Sequence, residues 1–207
     1  MAKTPKIPII DTLSIEKKLW DEGFNRIMGL DEVGRGCLSG PVVAAGVIFA
    51  PGYSVPEITD SKVLSASKRE ELNLQIKEEA LYWTIQESSV SEIDQFNILN
   101  ASLLAMERCE MAKGADPDFL LIDGNRYKGT FRPHSCVIKG DLYSQSIAAA
   151  SILAKVYRDQ CMLALHEAYP QYGWDHNKGY ATVDHYKGLK EYGPTDWHRR
   201  TFKLVKE

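Results

Sequence analysis

The spacing of apolar residues along the chain predicts a mixture of strands and helices. Residues 26–33 and 41–50 have strand length, and the second of these segments is almost entirely apolar and rich in β-branched residues. A short glycine-rich stretch, 34–40, joins them, which favours an antiparallel pair buried on both faces. Further strands are predicted at 81–88, 118–123 and 134–139, and helices at 13–22, 65–80, 91–113 and 145–168. Three strands followed by alternating helices and strands predict a mixed sheet with helices packed on it.

Composition narrows the classes of function. The 207 residues are 44% hydrophobic and 26% charged, as in ordinary globular proteins, which excludes a disordered or low-complexity chain. The net charge of −3 argues against coating nucleic acid by bulk charge, although a local basic groove stays open. The longest apolar run, 41–51, is too short to span a membrane, and residues 1–11 lack the apolar core of a signal peptide. The four cysteines form no CxxC pair, so a cytoplasmic protein with reduced thiols is expected.

Acidic residues lie in or directly after three of the predicted strands. Asp31 and Glu32 belong to GLDEVGRG, Asp123 ends LLID, and Asp141 follows in KGD. Any one of them alone has an ordinary explanation, because a strand-end aspartate often accepts hydrogen bonds from turn amides. Three strand ends that share the feature favour a common site, since binding crevices form at the ends of sheet strands.

Converging carboxylates would repel one another unless a cation lies between them. All-oxygen, carboxylate-rich sites suit Mg²⁺ or Mn²⁺, and two such ions stabilise the attacking and leaving oxygens of a phosphoryl displacement. The absence of nearby histidine or cysteine pairs argues against zinc. Asp31 and Glu32 are adjacent, so on a regular strand their side chains face opposite sides, and Asp31 is the expected shared ligand.

Two segments are candidates for contact with a phosphate backbone. Gly34-Arg35-Gly36 directly follows the acidic pair and can bring backbone amides close to a ligand, although a hairpin connection needs glycine anyway. In the helix 145–168, a stripe of small and basic residues lies opposite the expected core face. The stripe consists of Ala148, Ser151, Lys155 and Arg158. It is predicted to face a nucleic-acid strand, and a simple solvated face is the alternative.

The last forty residues mix aromatic side chains with basic ones. Seven tyrosines and tryptophans between 169 and 197 alternate with Lys178, Lys187, Lys190, His198, Arg199 and Arg200. Such interleaving suits nucleic acid, where rings stack and cations meet phosphates. The alternative is a small hydrophobic cap over the sheet, and we expect each explanation to hold for different residues.

Taken together, these motifs closely resemble the bacterial ribonuclease HII family. The matching segments occur in family order: GLDEVGRG (29–36), GPVVAAGVI (40–48), DSKVLS (60–65), EIDQFNIL (92–99), LLIDGN (120–125), KGD (139–141), SIAAASILAKVYRD (146–159), NKGYAT (177–182) and HRRTF (198–202). The resemblance implies an α/β ribonuclease H-like fold, with a five-stranded mixed sheet flanked by helices. Residues 1–207 would form one domain, and about 170–207 a helical extension that contacts substrate.

The resemblance also implies an activity and the residues that carry it. The implied enzyme is an endonuclease that cuts RNA in RNA–DNA hybrids and cuts on the 5′ side of single ribonucleotides in duplex DNA, leaving 5′-phosphate and 3′-hydroxyl ends. It would act as a monomer, with two Mg²⁺ or Mn²⁺ ions, in the removal of ribonucleotides from DNA.

Each implied role falls on matching residues of this chain. The acidic quartet falls on Asp31, Glu32, Asp123 and Asp141. Asp31 is expected to bridge the ions, with Asp141 at the ion that activates water and Asp123 and Glu32 at the ion near the leaving oxygen. Gly34, Arg35 and Gly36 would read the ribose 2′-OH, and Tyr180 would stack at the RNA–DNA junction. Lys62, Ser151, Lys155 and Arg158 are the remaining expected substrate contacts.

Three positions depart from the usual family pattern. Cys37 stands where proline is normal, Tyr157 replaces a smaller residue, and Asn177 stands where histidine is common. None of them is an expected metal ligand, so they bear on the stiffness of the substrate loops and not on the chemistry.

Rival functions make different predictions. An integrase or resolvase with an acidic site would cut without needing a 2′-OH and lacks the DEVGRG and AKVxRD pairing. Ribonuclease HIII normally carries an additional N-terminal domain, for which the residues before Asp31 leave no room. A non-catalytic nucleic-acid-binding module would show neither metal binding nor cleavage.

Overall fold

A computed structural model describes residues 11–55, 57–58, 61–128 and 131–205. Its strands are β1 (Ile27–Val33), β2 (Val42–Ile48), β3 (Tyr82–Ser88), β4 (Phe119–Asp123) and β5 (His134–Val137). Its helices are α1 (Ser14–Asp21), α2 (Ala66–Glu79), α3 (Val90–Glu110), α4 (Gln145–Ala168), α5 (Trp174–Asn177) and α6 (Val183–Tyr192). All the strands and long helices predicted from the sequence are present, and the predicted bounds differ from these by a few residues.

The five strands form one mixed sheet in the order β3-β2-β1-β4-β5. β1 and β2 form the predicted antiparallel hairpin, and β3 continues it on the far side of β2. β4 lies parallel to β1, and β5 lies parallel to β4. The predicted fold class is confirmed. Because β1 and β4 run in the same direction, their carboxyl ends meet at one edge of the sheet.

Helices cover both faces of the sheet. The first half of α4 packs over β1 and β2, and its alanines join one core cluster with Val43, Ala45 and Val47. The second half of α3 covers the opposite face, where Met28 and Leu30 of β1 meet Ala105 and Met106. The alternation of side chains along β1 therefore decides which helix each of its residues faces.

Two details of the helices differ from prediction. Asn97 interrupts α3 with φ 67° and ψ 163°, so this segment is two helices joined at a kink, where one helix was predicted. In α4, every residue from Gln145 to Ala154 is buried, because α2, Val55 and Ile58 pack against this half of the helix in addition to the sheet. The predicted solvated or phosphate-facing stripe of α4 is therefore absent over this half.

The C-terminal segment packs against the second half of α4. Tyr172 and Trp174 are buried there with Leu38 and Met162, whereas Tyr180 is 42% exposed. The hydrophobic-cap interpretation is therefore correct for Tyr172 and Trp174, and contact with nucleic acid stays a prediction for the exposed Tyr180. In the part of the chain that the structure describes, no helix has the length and apolar character to cross a bilayer. The expectation about residues 1–11 and the motif residue Asp60 concern positions outside the described residues, apart from Asp11.

Candidate active site

Asp31 and Asp123 lie side by side at the sheet edge. The last residue pair between the two parallel strands is Leu30 with Ile122, so the next residue on each strand is an aspartate. Asp31 lies on the α4 face, as does Gly29 two residues before it, and it is 8% exposed. The predicted meeting of two strand-end aspartates is therefore present.

Glu32 points to the opposite face of β1, as its adjacency to Asp31 requires. Its Oε1 accepts a hydrogen bond of 3.0 Å from Nη1 of Arg35. On this side a cleft of about 240 Å³ runs from Glu32 and Asp123 to Ser102 and Met106 of α3. The acidic group therefore borders an open space large enough for part of a substrate.

Asp141 reaches the same edge through a compact turn after β5. Lys139 adopts a left-handed conformation, with φ 56°, and Gly140–Leu142 forms a single 3₁₀ turn. The amide of Gly140 donates a 2.7 Å hydrogen bond to Oδ1 of Asp123, which ties this turn to the end of β4. Lys62, whose side chain is 81% exposed, places its Nζ 3.8 Å from Oδ2 of Asp141.

The electrostatics of Asp31 are those of a crowded acidic site. Its pKa is raised well above the ordinary value of 3.8, first by burial and then by the negative charges of Glu32, Asp123 and Asp141. The pKa of Glu32 is also raised, mainly by burial, although the Arg35 guanidinium opposes the effect. Among the described residues no lysine or arginine pairs with Asp31, whose Oδ1 accepts a bond from the amide of Glu32. A buried carboxylate without a basic partner favours binding of a cation that the side chains do not supply, such as a metal ion.

A divalent metal ion fits this group in charge and in donor type. All four carboxylates are hard oxygen donors, which is the set that Mg²⁺ and Mn²⁺ prefer. Among the described residues, no three side chains of Asp, Glu, His or Cys lie close enough together to hold a metal ion without rearrangement. Arg35 and Lys62 engage two of the carboxylates, and the Gly140 amide engages a third.

The glycine loop, residues 34–41, leaves the site directly after β1. Arg35 and Gly36 are exposed, and in the described part of the chain their backbone amides have no protein acceptor. Tyr180 lies beside this loop, because a Cβ built on Gly36 would be 4.0 Å from Cε1 of Tyr180. The structure therefore brings together the predicted 2′-OH loop and the predicted stacking tyrosine.

Arg158 does not occupy the predicted position on a phosphate-facing surface. It is fully buried, and its guanidinium donates hydrogen bonds of 2.9–3.0 Å to the carbonyls of Pro41, Ser39 and Lys178. Ser151 is also buried, and its hydroxyl donates to the carbonyl of Ala148. The predicted exposure of both side chains is therefore wrong, because loop carbonyls surround Arg158 and Ser151 lies in the buried half of α4. Lys155 is partly exposed and pairs with Asp159 at 2.7 Å.

Two residues expected to be surface cations of the tail are likewise internal. Arg199 is fully buried and donates to the carbonyls of Arg35, Gly40 and Pro41, so it supports the glycine loop from beneath. His198 is fully buried beside His185. The HRRTF segment is the sequence feature that marks these two residues. A basic residue next to aromatic ones does not reveal which backbone carbonyls will surround it in the folded chain.

Of the departures from the family pattern, Asn177 has a visible structural role. Its side chain donates to the carbonyl of Tyr172 and accepts from the amide of Gly179, which fixes the turn before Tyr180. Tyr157 is 38% exposed, and Cys37 is buried within the glycine loop.

Comparison with known proteins decides the family. The ribonuclease HII family profile matches residues 28–205, a range that holds all four carboxylates, the glycine loop and Tyr180. The chain belongs to the ribonuclease HII family. A curated ribonuclease HII from Salinibacter ruber is 49% identical over 199 residues, which cover 94% of this chain and all of that protein. The protein is accordingly a ribonuclease H, a hydrolase that acts on nucleic acid, as predicted.

Solved structures agree with the fold. The ribonuclease HII of the PCNA:RNase HII complex from Archaeoglobus fulgidus matches with a TM-score of 0.76 and 25% identity, covering 88% of this chain and 97% of that one. Bst-RNase HIII in complex with Mn²⁺ matches with a TM-score of 0.68 and 19% identity, covering 88% of this chain and 68% of that one, and supports the fold alone. Enzymes of this family depend on divalent metal ions.

Proposed function

We propose that this enzyme cuts on the 5′ side of single ribonucleotides embedded in duplex DNA, as well as within RNA–DNA hybrids, with two divalent ions at the acidic group. The observation that carries the proposal is the position of buried Asp31 among three further carboxylates, next to a loop whose exposed amides at Arg35 and Gly36 have no acceptor among the described residues. The proposed products are a 5′-phosphate and a 3′-hydroxyl. The enzyme would act as a monomer, since all these residues belong to one chain.

Asp31, Glu32, Asp123 and Asp141 would hold the ions. Once bound, Mg²⁺ or Mn²⁺ ions supply Lewis-acid stabilisation of the attacking and leaving oxygens and lower the pKa of water. Asp31 lies on the α4 face of β1, whereas Glu32 and Asp123 border the cleft beside α3, so the carboxylates approach the sheet edge from both sides. Lys62, exposed beside Asp141, would contact the scissile strand, and Lys155 would contact a phosphate farther along it.

Recognition of the ribonucleotide is proposed for the glycine loop and Tyr180. The amides of Arg35 and Gly36 can donate to a ribose 2′-OH, which is the group that distinguishes RNA from DNA. Support for this role comes from their exposure and from the position of the Tyr180 ring beside Gly36. A half-exposed ring there can stack on a sugar or base at the junction.

A cleavage assay on three matched duplexes tests the proposal. One duplex contains a single ribonucleotide, the second is all DNA, and the third is an RNA–DNA hybrid, each with a 5′ label and with Mg²⁺, Mn²⁺ or a chelator. We expect one product from the first duplex, ending in a 3′-hydroxyl on the nucleotide before the ribonucleotide, and no product from DNA or with chelator. Cleavage of the all-DNA duplex, or cutting on the 3′ side, would contradict the proposal.

The Tyr180→Ala variant tests the assignment of the stacking residue. We expect kcat/KM for the single-ribonucleotide duplex to fall about tenfold or more, the size of a lost stacking contact, with a smaller loss on the long hybrid. Tyr192→Ala, at another exposed tyrosine of the same segment, is the matched control. Equal losses on both substrates would remove the junction role.

A further inference from the structure

Two fully buried histidines lie behind Tyr180. His185 is on α6, and His198 is in the segment that follows this helix. Their Nε2 atoms are 3.1 Å apart, and the indole of Trp174 also donates to Nε2 of His185 at 3.1 Å. The imidazoles therefore contact each other directly, and the two nitrogens must share one proton between them.

The surrounding groups fix the position of each proton. The amide of Thr195 donates to Nδ1 of His198 at 2.9 Å, so that nitrogen is an acceptor and Nε2 of His198 carries its hydrogen. His185 Nδ1 lies 2.9 Å from the carbonyl oxygen of Tyr180, which can only accept, so this Nδ1 is the donor. One arrangement of neutral rings is compatible with these contacts, and in it the donors Trp174 and His198 share the single lone pair of His185 Nε2. The arrangement is directional: Thr195 to His198, His198 to His185, and His185 to Tyr180.

The histidine pair is connected to the glycine loop on one side and to Tyr180 on the other. The backbone of His198 forms a bridge with Ser39 of the glycine loop, and the flanking amide of Arg199 bonds to the carbonyl of Leu38. At the other end, Tyr180 follows two residues in left-handed conformations, Lys178 and Gly179. A Cβ at Gly179 would be 2.8 Å from the carbonyl oxygen of Ser39, so this turn also touches the loop.

We propose that the His185–His198 pair is a positioning element that holds the Tyr180 backbone in register with the glycine loop and thereby sets the preference for a ribonucleotide–DNA junction. The proposal rests on the proposed stacking role of Tyr180. The Tyr180 carbonyl has two donors, the amide of Thr182 at 2.8 Å and His185, and the histidine is the one that links it to the loop side. Loss of this bond would leave the ring attached to a turn with less restraint.

Two substitutions of His185 separate positioning from stability. In His185→Asn, the amide nitrogen stands near the former Nδ1 and keeps the bond to Tyr180, but His198 and Trp174 lose their acceptor. In His185→Gln, the longer amide can accept from His198 and Trp174, but the donor to Tyr180 is lost. A buried N–H without an acceptor costs more than an exchanged bond, so the Asn variant should melt at the lower temperature.

The quantity to measure is the ratio of kcat/KM for a single-ribonucleotide duplex to that for a long RNA–DNA hybrid. We expect His185→Gln to lower this ratio about fivefold, the effect of one lost hydrogen bond, and His185→Asn to keep it within about twofold of the original. The more stable variant is thus expected to be the less selective one. If the ratio instead follows melting temperature, or changes in neither variant, the positioning role is refuted.

A second readout distinguishes this proposal from the role of Tyr180. Long-range ¹⁵N–¹H spectra of labelled histidines report which ring nitrogen carries the proton, and we expect Nδ1–H for His185 and Nε2–H for His198 at neutral pH. The opposite tautomers would refute the link even if Tyr180→Ala changes selectivity. If the tautomers are as expected but the ratio of kcat/KM for the two substrates is unchanged in Tyr180→Ala, the junction role of the ring is refuted. The selectivity attributed to the histidine pair is then refuted with it.

Discussion

Gly29 of β1 lies against the backbone of Ile147 at the start of α4. A Cβ at Gly29 would be 2.3 Å from the amide nitrogen of Ile147, a distance that no side chain can occupy. Helix and strand are therefore in direct backbone contact two residues before Asp31, and this contact fixes the depth at which the first carboxylate lies beneath the helix.

Substitution of Gly29 by alanine should be strongly destabilising. The added methyl group meets rigid backbone, so helix and strand must separate, and we expect a loss of about 3 kcal/mol in the free energy of unfolding, measured with urea. Gly46→Ala in β2 is the matched control, since its Cβ would meet the flexible sulfur of Met28 at 2.9 Å. Equal effects at the two strand glycines would contradict the importance of the backbone contact.

Asp31→Asn should remove activity without unfolding the protein. We expect kcat to fall at least about a thousandfold, because the residue would hold ions that stabilise the transition state. Folding raises the pKa of Asp31, so ionisation of this carboxyl group at a pH above its pKa in the unfolded chain destabilises the folded state. The substitution removes this ionisation, so the free energy of unfolding should rise, and the increase should be larger at higher pH. Urea titrations at several pH values test this, with Asp21→Asn, at an exposed position at the end of α1, as control. Substantial remaining turnover would exclude Asp31 as a ligand.

Arg158 and Lys155 should respond differently to removal of their contacts. Arg158→Gln removes the charge and leaves buried carbonyls without the donors that three guanidinium nitrogens supplied, so we expect a loss of about 2–4 kcal/mol in stability and an unchanged salt dependence of substrate binding. Lys155→Gln should leave stability nearly unchanged and reduce the slope of log K against log salt by about one. A reduced slope for Arg158→Gln would restore the phosphate contact that its burial argues against.

The buried histidines should make the protein sensitive to mild acid. Burial, with the neighbouring His185 and Arg200, lowers the pKa of His198 to about 4 from 6.5. Between these pH values the unfolded chain binds a proton that the folded chain does not, so the free energy of unfolding falls as pH is lowered, by at most about 3 kcal/mol. Urea midpoints at pH 7 and pH 5 measure the effect. His198→Gln should be less stable than the original protein at pH 7, but its free energy of unfolding should fall less between pH 7 and pH 5. An equal fall in both proteins would assign the acid sensitivity to other groups.

The elements near the acidic group are predictable because the sequence patterns that specify them involve only neighbouring residues. An apolar β2, acids at the ends of strands, and the opposite orientation of Asp31 and Glu32 all follow from residues within a few positions of one another. The errors concern distant partners. Arg158 was placed on a surface because its helical spacing says nothing of the loop 119 residues earlier that surrounds it. The kink at Asn97 has no proline or glycine to mark it, and the contact of His185 with His198 depends on how the tail folds back.

Arg158 and Arg199 hold the loop between Gly34 and Pro41 solely by its carbonyl oxygens, which are the same in every amino acid. Gly34 and Gly40 admit no side chain, but the hydrogen bonds that hold the loop do not depend on the residue type at its exposed positions. An exposed position such as Arg35 is able to exchange one residue type for another, and so alter what is presented to a nucleic acid, while the course of the main chain is dictated from two places far away in the sequence.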